Sequence, residues 1–345
     1  MTGKAYYLVS HGNASSSFEL RSFQVASPMD HEVLIKVEAF GLNFADVMAR
    51  RGKYRDAPSL PFVPGYDVVG RIYKVGNHVN QDLLGKRVAA FCRFGGYSNW
   101  IVTPTNAIVV IDDLPAGIAL ALCTQGVTAQ YMAAHCTHLT EDDYVLIHAA
   151  AGGVGSLLIQ LLKNQKVKVI AKVGSDEKAK VVRELGADFV INYRENDYLS
   201  SAKNISKKQM ISAIFNAQGG ESVPLDLKLL SPGGLLFLFG GAGLLKAKWG
   251  LWSTLGFLKN TGLFSPIPLM MQSKGLIGIN MLKIADHSPQ KIQNCMQACF
   301  EKHRKGILKP LIGLQFSHEQ LSIAHQVFED GNTSGKISIY WEDLP

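Results

Sequence analysis

The residues best spaced for chemistry lie at Ala150-x-Gly152-x-x-Gly155, within Tyr144–Lys163 (YVLIHAAAGGVGSLLIQLLK). This is the spacing of a dinucleotide fingerprint whose first glycine is replaced by alanine. A pyrophosphate must come close to backbone N–H groups, and Gly152 has no side chain to prevent that approach. Gly155 would let the following helix pack against the preceding strand. Ala151, Gly153 and Val154 share the loop and are assigned to the same cofactor. The free N–H groups and the dipole at the helix start would hold the phosphate charge.

Such a loop works only between a strand and a helix, and its flanks predict both. Tyr144–Ile147 is an apolar run suited to a strand buried on both faces. Val154, Leu157, Leu158, Leu161 and Leu162 have the spacing of a helix with one buried stripe. At the end of the next strand, Val167–Val173, an NAD-binding fold commonly places an acid against the ribose hydroxyls. Here that position is Val173, followed by GSDEK. With no carboxylate to repel a 2′-phosphate, Ser175 as donor and Lys178 as cation favour NADPH. One alternative takes Asp176 as the ribose acid, which would favour NADH. Another takes Ser175 as a helix cap and Lys178 as solvated.

Strand–helix alternation continues with helix Asp176–Leu185 and strands Phe189–Ile191, Ala213–Asn216, Leu235–Phe239 and Gly275–Ile279. The order implies an α/β fold with a parallel sheet wound on both faces. Residues up to about Leu120 read differently. Lys4–Ser10, Glu32–Ala39, Asp67–Val75 and Arg87–Phe91 are short β runs broken by Gly, Pro, Asn and Asp, with Asn43–Arg50 as a short helix. Ala116–His135 turns helical. The tail, helix Pro289–Lys305 and strand Lys336–Tyr340, is expected to close back onto this β-rich domain. The expected division is 1–121 with 282–345, and 122–281.

The chain has 345 residues, 47% hydrophobic and 18% charged, which is globular composition with room for two cores. Its net charge of +7 is scattered among acids rather than gathered in a basic tract, so nucleic acid is not the expected partner. The start, MTGKAYYLVSHG, lacks the apolar core of a secretion signal, and no run reaches the ~18–20 apolar residues of a membrane span. Five widely spaced cysteines fit reduced thiols and a cytoplasmic location.

Five stretches together resemble one family: GLNFADVMARRGKY (Gly41–Tyr54), PFVPGYDVVGRI (Pro61–Ile72), QGVTAQY (Gln125–Tyr131), HAAAGGVG (His148–Gly155) and ELGADFVINYR (Glu184–Arg194). They are similar to the zinc-free quinone oxidoreductase branch of the medium-chain dehydrogenase/reductase superfamily. Leu244–Asn280 leans towards its vesicle amine transport protein-like members. The resemblance implies a GroES-like β-rich catalytic domain around a Rossmann domain, a cleft between them, and a homodimer. It further implies that Asn43 and Tyr54 neighbour the nicotinamide and hydrogen-bond the substrate oxygen as charge develops. It places Thr128 and Asn43 towards the nicotinamide or its phosphates, Tyr193 beside the 2′-phosphate, and Asn216, Phe239, Gly240 and Gly241 at the cofactor edge of the sheet.

Zinc-dependent relatives carry a cysteine within the stretch matching Gly41–Asp46 and a histidine after the glycine matching Gly65. Here the residues are GLNFAD and Tyr66, so no metal site is expected, and Cys123 is read as a buried, inert thiol. His148 is read as a core residue. Leu244–Met271 has two tryptophans, many Leu, Phe and Met residues, and lysines between. It is read as a lid over the substrate, an amphipathic patch for a membrane surface or partner, or a packed excursion. The function these readings imply is NADPH-dependent, zinc-independent reduction of quinones or α,β-unsaturated carbonyls. The alternative is a weakly active nucleotide-binding interaction protein of the vesicle type.

Overall fold

A computed structural model describes residues 1–206, 211–243, 266–331 and 333–342. The chain divides into two units. One is Met1–Val127 with Leu282–Arg304 and Pro310–Pro345; the other is Thr128–Met281 with Lys305–Lys309.

In the second unit the apolar runs become six parallel strands. Their order across the sheet is Phe189–Asn192, Lys168–Val173, Tyr144–Ile147, Ile211–Asn216, Leu230–Leu238 and Gly275–Gly278. The order reverses between Tyr144–Ile147 and Ile211–Asn216, where Val145 pairs Ala213 and Ile147 pairs Phe215. A doubly wound sheet binds its ligand outside the carboxyl ends of the strands flanking such a switch point. All four residues of Tyr144–Ile147 are buried, as a strand covered on both faces requires. Helix Gly153–Asn164 buries Leu157, Leu158, Leu161 and Leu162. It can lie this close because Gly155 has no side chain: a Cβ there would sit 2.6 Å from the Ala149 carbonyl oxygen and 2.7 Å from Ala150 Cα. The fold is therefore the Rossmann-type parallel sheet expected from the strand–helix alternation.

The first unit is built on a seven-stranded sheet. Its main path runs Ile312–Ser317, Lys336–Tyr340, Glu32–Leu42, Asp67–Val75, Arg87–Phe91 and Ile108–Val110, with Trp100–Pro104 also pairing Glu32–Leu42. The long central strand is apolar at alternate positions, and Val33, Ile35 and Val37 enter the core with Ile72, Val88 and Ile337. A burial of this kind contributes roughly 1.5–3 kcal/mol per large aliphatic or aromatic side chain. The returning tail supplies the strand Lys336–Tyr340, buried at every position. Thr2–Leu8 pairs with Phe18–Gln24 as an antiparallel ribbon. Ala116–Leu120 and Val127–Ala134 are α-helical and are joined by a wider π-type turn, Ala121–Gly126.

Of the Leu244–Met271 segment, residues 244–265 lie outside the described residues. Pro266–Met271 is a short helix with exposed Ile267, Met270 and Met271. No described helix is long and apolar enough to cross a membrane.

Candidate active site

The fingerprint loop leaves the first strand through a left-handed turn at Ala149 (φ 50°). The Ala150 N–H then donates to the Lys172 carbonyl (3.2 Å) and the Gly152 N–H to that of Ala149 (2.8 Å). Gly152 is the extended N-cap residue of helix Gly153–Asn164, with no side-chain capping bond. The opening N–H groups of the helix lie at Gly153, Val154 and Gly155, where no intrahelical acceptor precedes them. A Cβ on Gly152 would meet only the Ala149 carbonyl oxygen, at 3.1 Å. Gly155 thus serves packing and Gly152 leaves space.

At the end of the second strand, Ser175 caps helix Asp176–Glu184, its Oγ accepting from the Lys178 N–H (3.3 Å). Burial and the neighbouring Arg194 guanidinium hold the Lys178 ammonium below the usual lysine range. Two cations thus share one region beside the Ser175 hydroxyl. Asp176 is turned to the adjacent strand, where Oδ1 accepts from Asn192 Nδ2 (3.3 Å). Tyr193 is exposed and lies against Gly174, where a Cβ would come within 2.8 Å of the phenolic oxygen. That end of the unit has the composition of an anion site, two cations and a hydroxyl.

Asn216, at the end of the fourth strand, is buried and its amide is filled from within. Nδ2 donates to Asp226 Oδ2 (2.6 Å) and Ser222 Oγ (2.8 Å), while Oδ1 accepts from the N–H groups of Gln218 (2.7 Å) and Gly219 (2.9 Å). Its side chain therefore shapes the loop after the strand. Asp226 also lies 3.1 Å from His148 Nε2 and accepts from the Tyr198 hydroxyl (3.3 Å). Lys172 Nζ stands 3.4 Å from His148 Nδ1 and 3.6 Å over the Tyr198 ring. His148 is thus a buried residue with polar partners on both ring nitrogens, as a core histidine must be. Thr128 is buried, Phe239 is half-buried with its N–H on the Asn216 carbonyl (3.2 Å), and Gly240 is exposed with Gly241 beside it.

In the β-rich unit, Asn43 opens helix Phe44–Arg50 and is buried. Its N–H donates to Asp46 Oδ2 (2.9 Å), Nδ2 donates to Asp67 Oδ1 (2.7 Å), and Oδ1 accepts from Lys336 Nζ (2.8 Å). Asp46 Oδ1 takes the Gly65 N–H (3.0 Å), and burial pushes the Asp46 carboxyl up to about 7. Tyr54 is half-buried, and burial with the Asp56 carboxylate pushes its phenol up to about 12, so it keeps its proton at neutral pH. Its ring meets that of Tyr66 edge-on, centroids 6.2 Å apart. Cys123 is buried, and burial with the Asp67 carboxylate drives its thiol well above the usual range, as expected of an inert cysteine. Among the described residues no three His, Cys, Asp or Glu side chains gather to hold a metal.

Asp67, Lys336, Tyr66, Lys172 and Asp226 were given no functional role from the sequence, Tyr66 entering only as the residue in place of a zinc-binding histidine. A signal existed for the lysines: Lys172 interrupts the apolar run VIAKV and Lys336 opens the apolar strand KISIY, and a buried ammonium requires partners.

Comparison with known proteins bears on both units. Residues 29–143 match the alcohol dehydrogenase GroES-like domain, and residues 153–299 match the zinc-binding dehydrogenase domain. The chain is 30% identical to quinone oxidoreductase of Rattus norvegicus over 318 residues, covering 91% of this chain and 90% of the relative. It is also 30% identical to the synaptic vesicle membrane protein VAT-1 homolog of Danio rerio over 315 residues, covering 91% of this chain and 65% of the other. Among solved structures, a mycobacterial protein complexed with NADPH superposes with a TM-score of 0.84 at 25% identity, covering 98% of this chain and 99% of that one.

Proposed function

Because the chain belongs to the quinone oxidoreductase family of the medium-chain dehydrogenase/reductase superfamily, we propose that it reduces quinones or α,β-unsaturated carbonyls with NADPH, without zinc. The observation that carries this reading is the fingerprint loop at the switch point. There Gly152 leaves space against its backbone, and the opening N–H groups of helix Gly153–Asn164 have no side-chain cap. The residues present fit the cofactor: backbone donors for the pyrophosphate, and Ser175, Lys178 and Arg194 for the 2′-phosphate. Tyr193 adds an aromatic wall. Bound NADPH supplies the hydride. The chain's own task is to hold the acceptor and stabilise charge on its oxygen. Tyr54 carries its proton at neutral pH and donates to that oxygen. Asn43 is fixed by Asp67 and Lys336, and the amide hydrogen on its longer bond to the Gly41 carbonyl (3.5 Å) is the one it can turn to the acceptor. A quinone or enone is already polarised, so a phenol and an amide suffice where a plain alcohol would call for a Lewis acid.

A second reading is supported by the likeness to the VAT-1 homolog: a nucleotide-binding interaction protein with little turnover. Steady-state NADPH oxidation over a panel of quinones and enones separates the two. Turnover with at least one acceptor, unaffected by a zinc chelator, is expected. NADPH binding with no oxidation against any acceptor would favour the second reading.

A further inference from the structure

The Tyr66 hydroxyl is buried and makes no hydrogen bond of full geometry among the described residues. Leaving such a group unsatisfied costs free energy, so its retention calls for an account. Its backbone is fixed: the Tyr66 carbonyl accepts from the Cys92 N–H (2.7 Å) and from Thr124 Oγ1 (3.4 Å). The ring is wedged between Phe94 and Tyr54, with centroids 5.3 and 6.2 Å away. The two hydroxyls already interact, Tyr66 as the donor and Tyr54 as the acceptor, but the contact falls short of the geometry of a full hydrogen bond. Neither carboxylate oxygen of Asp46 is idle, since one accepts from the Asn43 N–H and the other from the Gly65 N–H. The Tyr54 oxygen, on the ring packed edge-on against that of Tyr66, is therefore an acceptor with a use for this donor.

We propose that Tyr66 is a positioning residue whose poorly aligned hydroxyl closes into a full hydrogen bond to the Tyr54 oxygen once Tyr54 has committed its own proton to the substrate oxygen. The inference rests on the proposed role of Tyr54. A phenol that donates becomes a stronger acceptor, and a donor behind it strengthens the bond it makes ahead. The hydroxyl of Tyr66 is thus poorly bonded among the described residues and fully bonded when substrate is held. No covalent bond changes in this step, and the proton of Tyr66 stays on its own oxygen.

Tyr66→Phe removes the hydroxyl and keeps the ring. The melting midpoint without substrate is expected to be unchanged or higher, because a poorly bonded buried polar group is lost. With quinone, kcat is expected to fall about tenfold with the KM for NADPH unchanged, the size of one assisting hydrogen bond. In a Tyr54→Phe background the same substitution should do nothing further. A second measurement needs no turnover: calorimetric titration of 1,4-naphthoquinone into the NADP+-loaded protein, where Tyr66→Phe should weaken binding about tenfold. A wild-type protein that binds the quinone but never oxidises NADPH would refute the proposed activity while this titration still decides the tyrosine pair. The inference is overturned by a Tyr66→Phe protein that melts several degrees lower, that binds and turns over like wild type, or that loses as much in the Tyr54→Phe background. It is overturned too if the wild type binds no quinone.

Discussion

Lys336 Nζ lies 2.6 Å from Asp67 Oδ2, and neither side chain is exposed to solvent. Lys336 belongs to the returning strand Lys336–Tyr340, and Asp67 opens Asp67–Val75; Glu32–Leu42 pairs with both. Asn43 bonds to each partner, so the end of the chain fixes a residue at its beginning. Gly41 leaves the space for this arrangement, since a Cβ there would come within 2.3 Å of Lys336 Cε.

A buried ion pair contributes little net stability, but removing one partner strands the other. Lys336→Met is predicted to destabilise the protein by about 3–5 kcal/mol, and Lys336→Met with Asp67→Leu to recover much of that loss. Urea unfolding followed by circular dichroism checks this. A double variant no more stable than Lys336→Met alone would contradict the pairing.

Asp46 gives a prediction in pH. Burial raises its carboxyl from 3.8 to about 7, so the folded state holds the proton more tightly than the unfolded chain. Its contribution is greatest below the unfolded value and is lost as pH rises through about 7. Buried His325 acts in the opposite sense: burial, then the Arg50 guanidinium, hold it well below 6.5, and its contribution is lost as pH falls through 6.5. Comparison with Asp46→Asn isolates the first effect. Between pH 5 and pH 8, wild type should lose more unfolding free energy than the variant. Equal pH dependence would refute the raised carboxyl.

Lys178 tests the choice of nicotinamide. Lys178→Ala is predicted to weaken NADPH by about 1–3 kcal/mol, roughly 5- to 150-fold, and to leave NADH nearly unchanged. Fluorescence titration of both cofactors gives the answer. Equal weakening, or a wild-type preference for NADH, would remove the 2′-phosphate from this region.

Much of the parallel sheet was legible because each strand is a short apolar run bounded by Gly, Asn or charge, and in the other unit Arg87–Phe91 and Lys336–Tyr340 appear with the expected bounds. Phe18–Gln24 was not, since most of FELRSFQ is exposed or half-exposed and carries no core pattern. Helix Tyr198–Ile205 was missed for the same reason: YLSSAKNI fully buries only Ala202. The site divided along similar lines. Gly152 and Gly155 could be read locally, because a loop and its flanking elements are adjacent in sequence. The bond between Lys336 and Asn43 spans 293 positions, so no local pattern carries it. Asn216 was placed at the right strand end, but the Asp226, Ser222 and backbone partners that fill its amide emerge only from the fold.

The most direct test of the account is NADPH binding to Gly152→Val. Gly152 has φ −74° and ψ 171°, an extended conformation open to other residues, and a Cβ there meets only one carbonyl oxygen. The variant is therefore expected to fold, with circular dichroism and melting close to wild type. Its β-branched side chain would occupy the space against the loop backbone where the pyrophosphate is proposed to lie. Titration of NADPH by fluorescence should then show affinity reduced at least a hundredfold, about 2.7 kcal/mol or more. A folded Gly152→Val protein that binds NADPH as wild type does would show that the nucleotide does not bind at this loop.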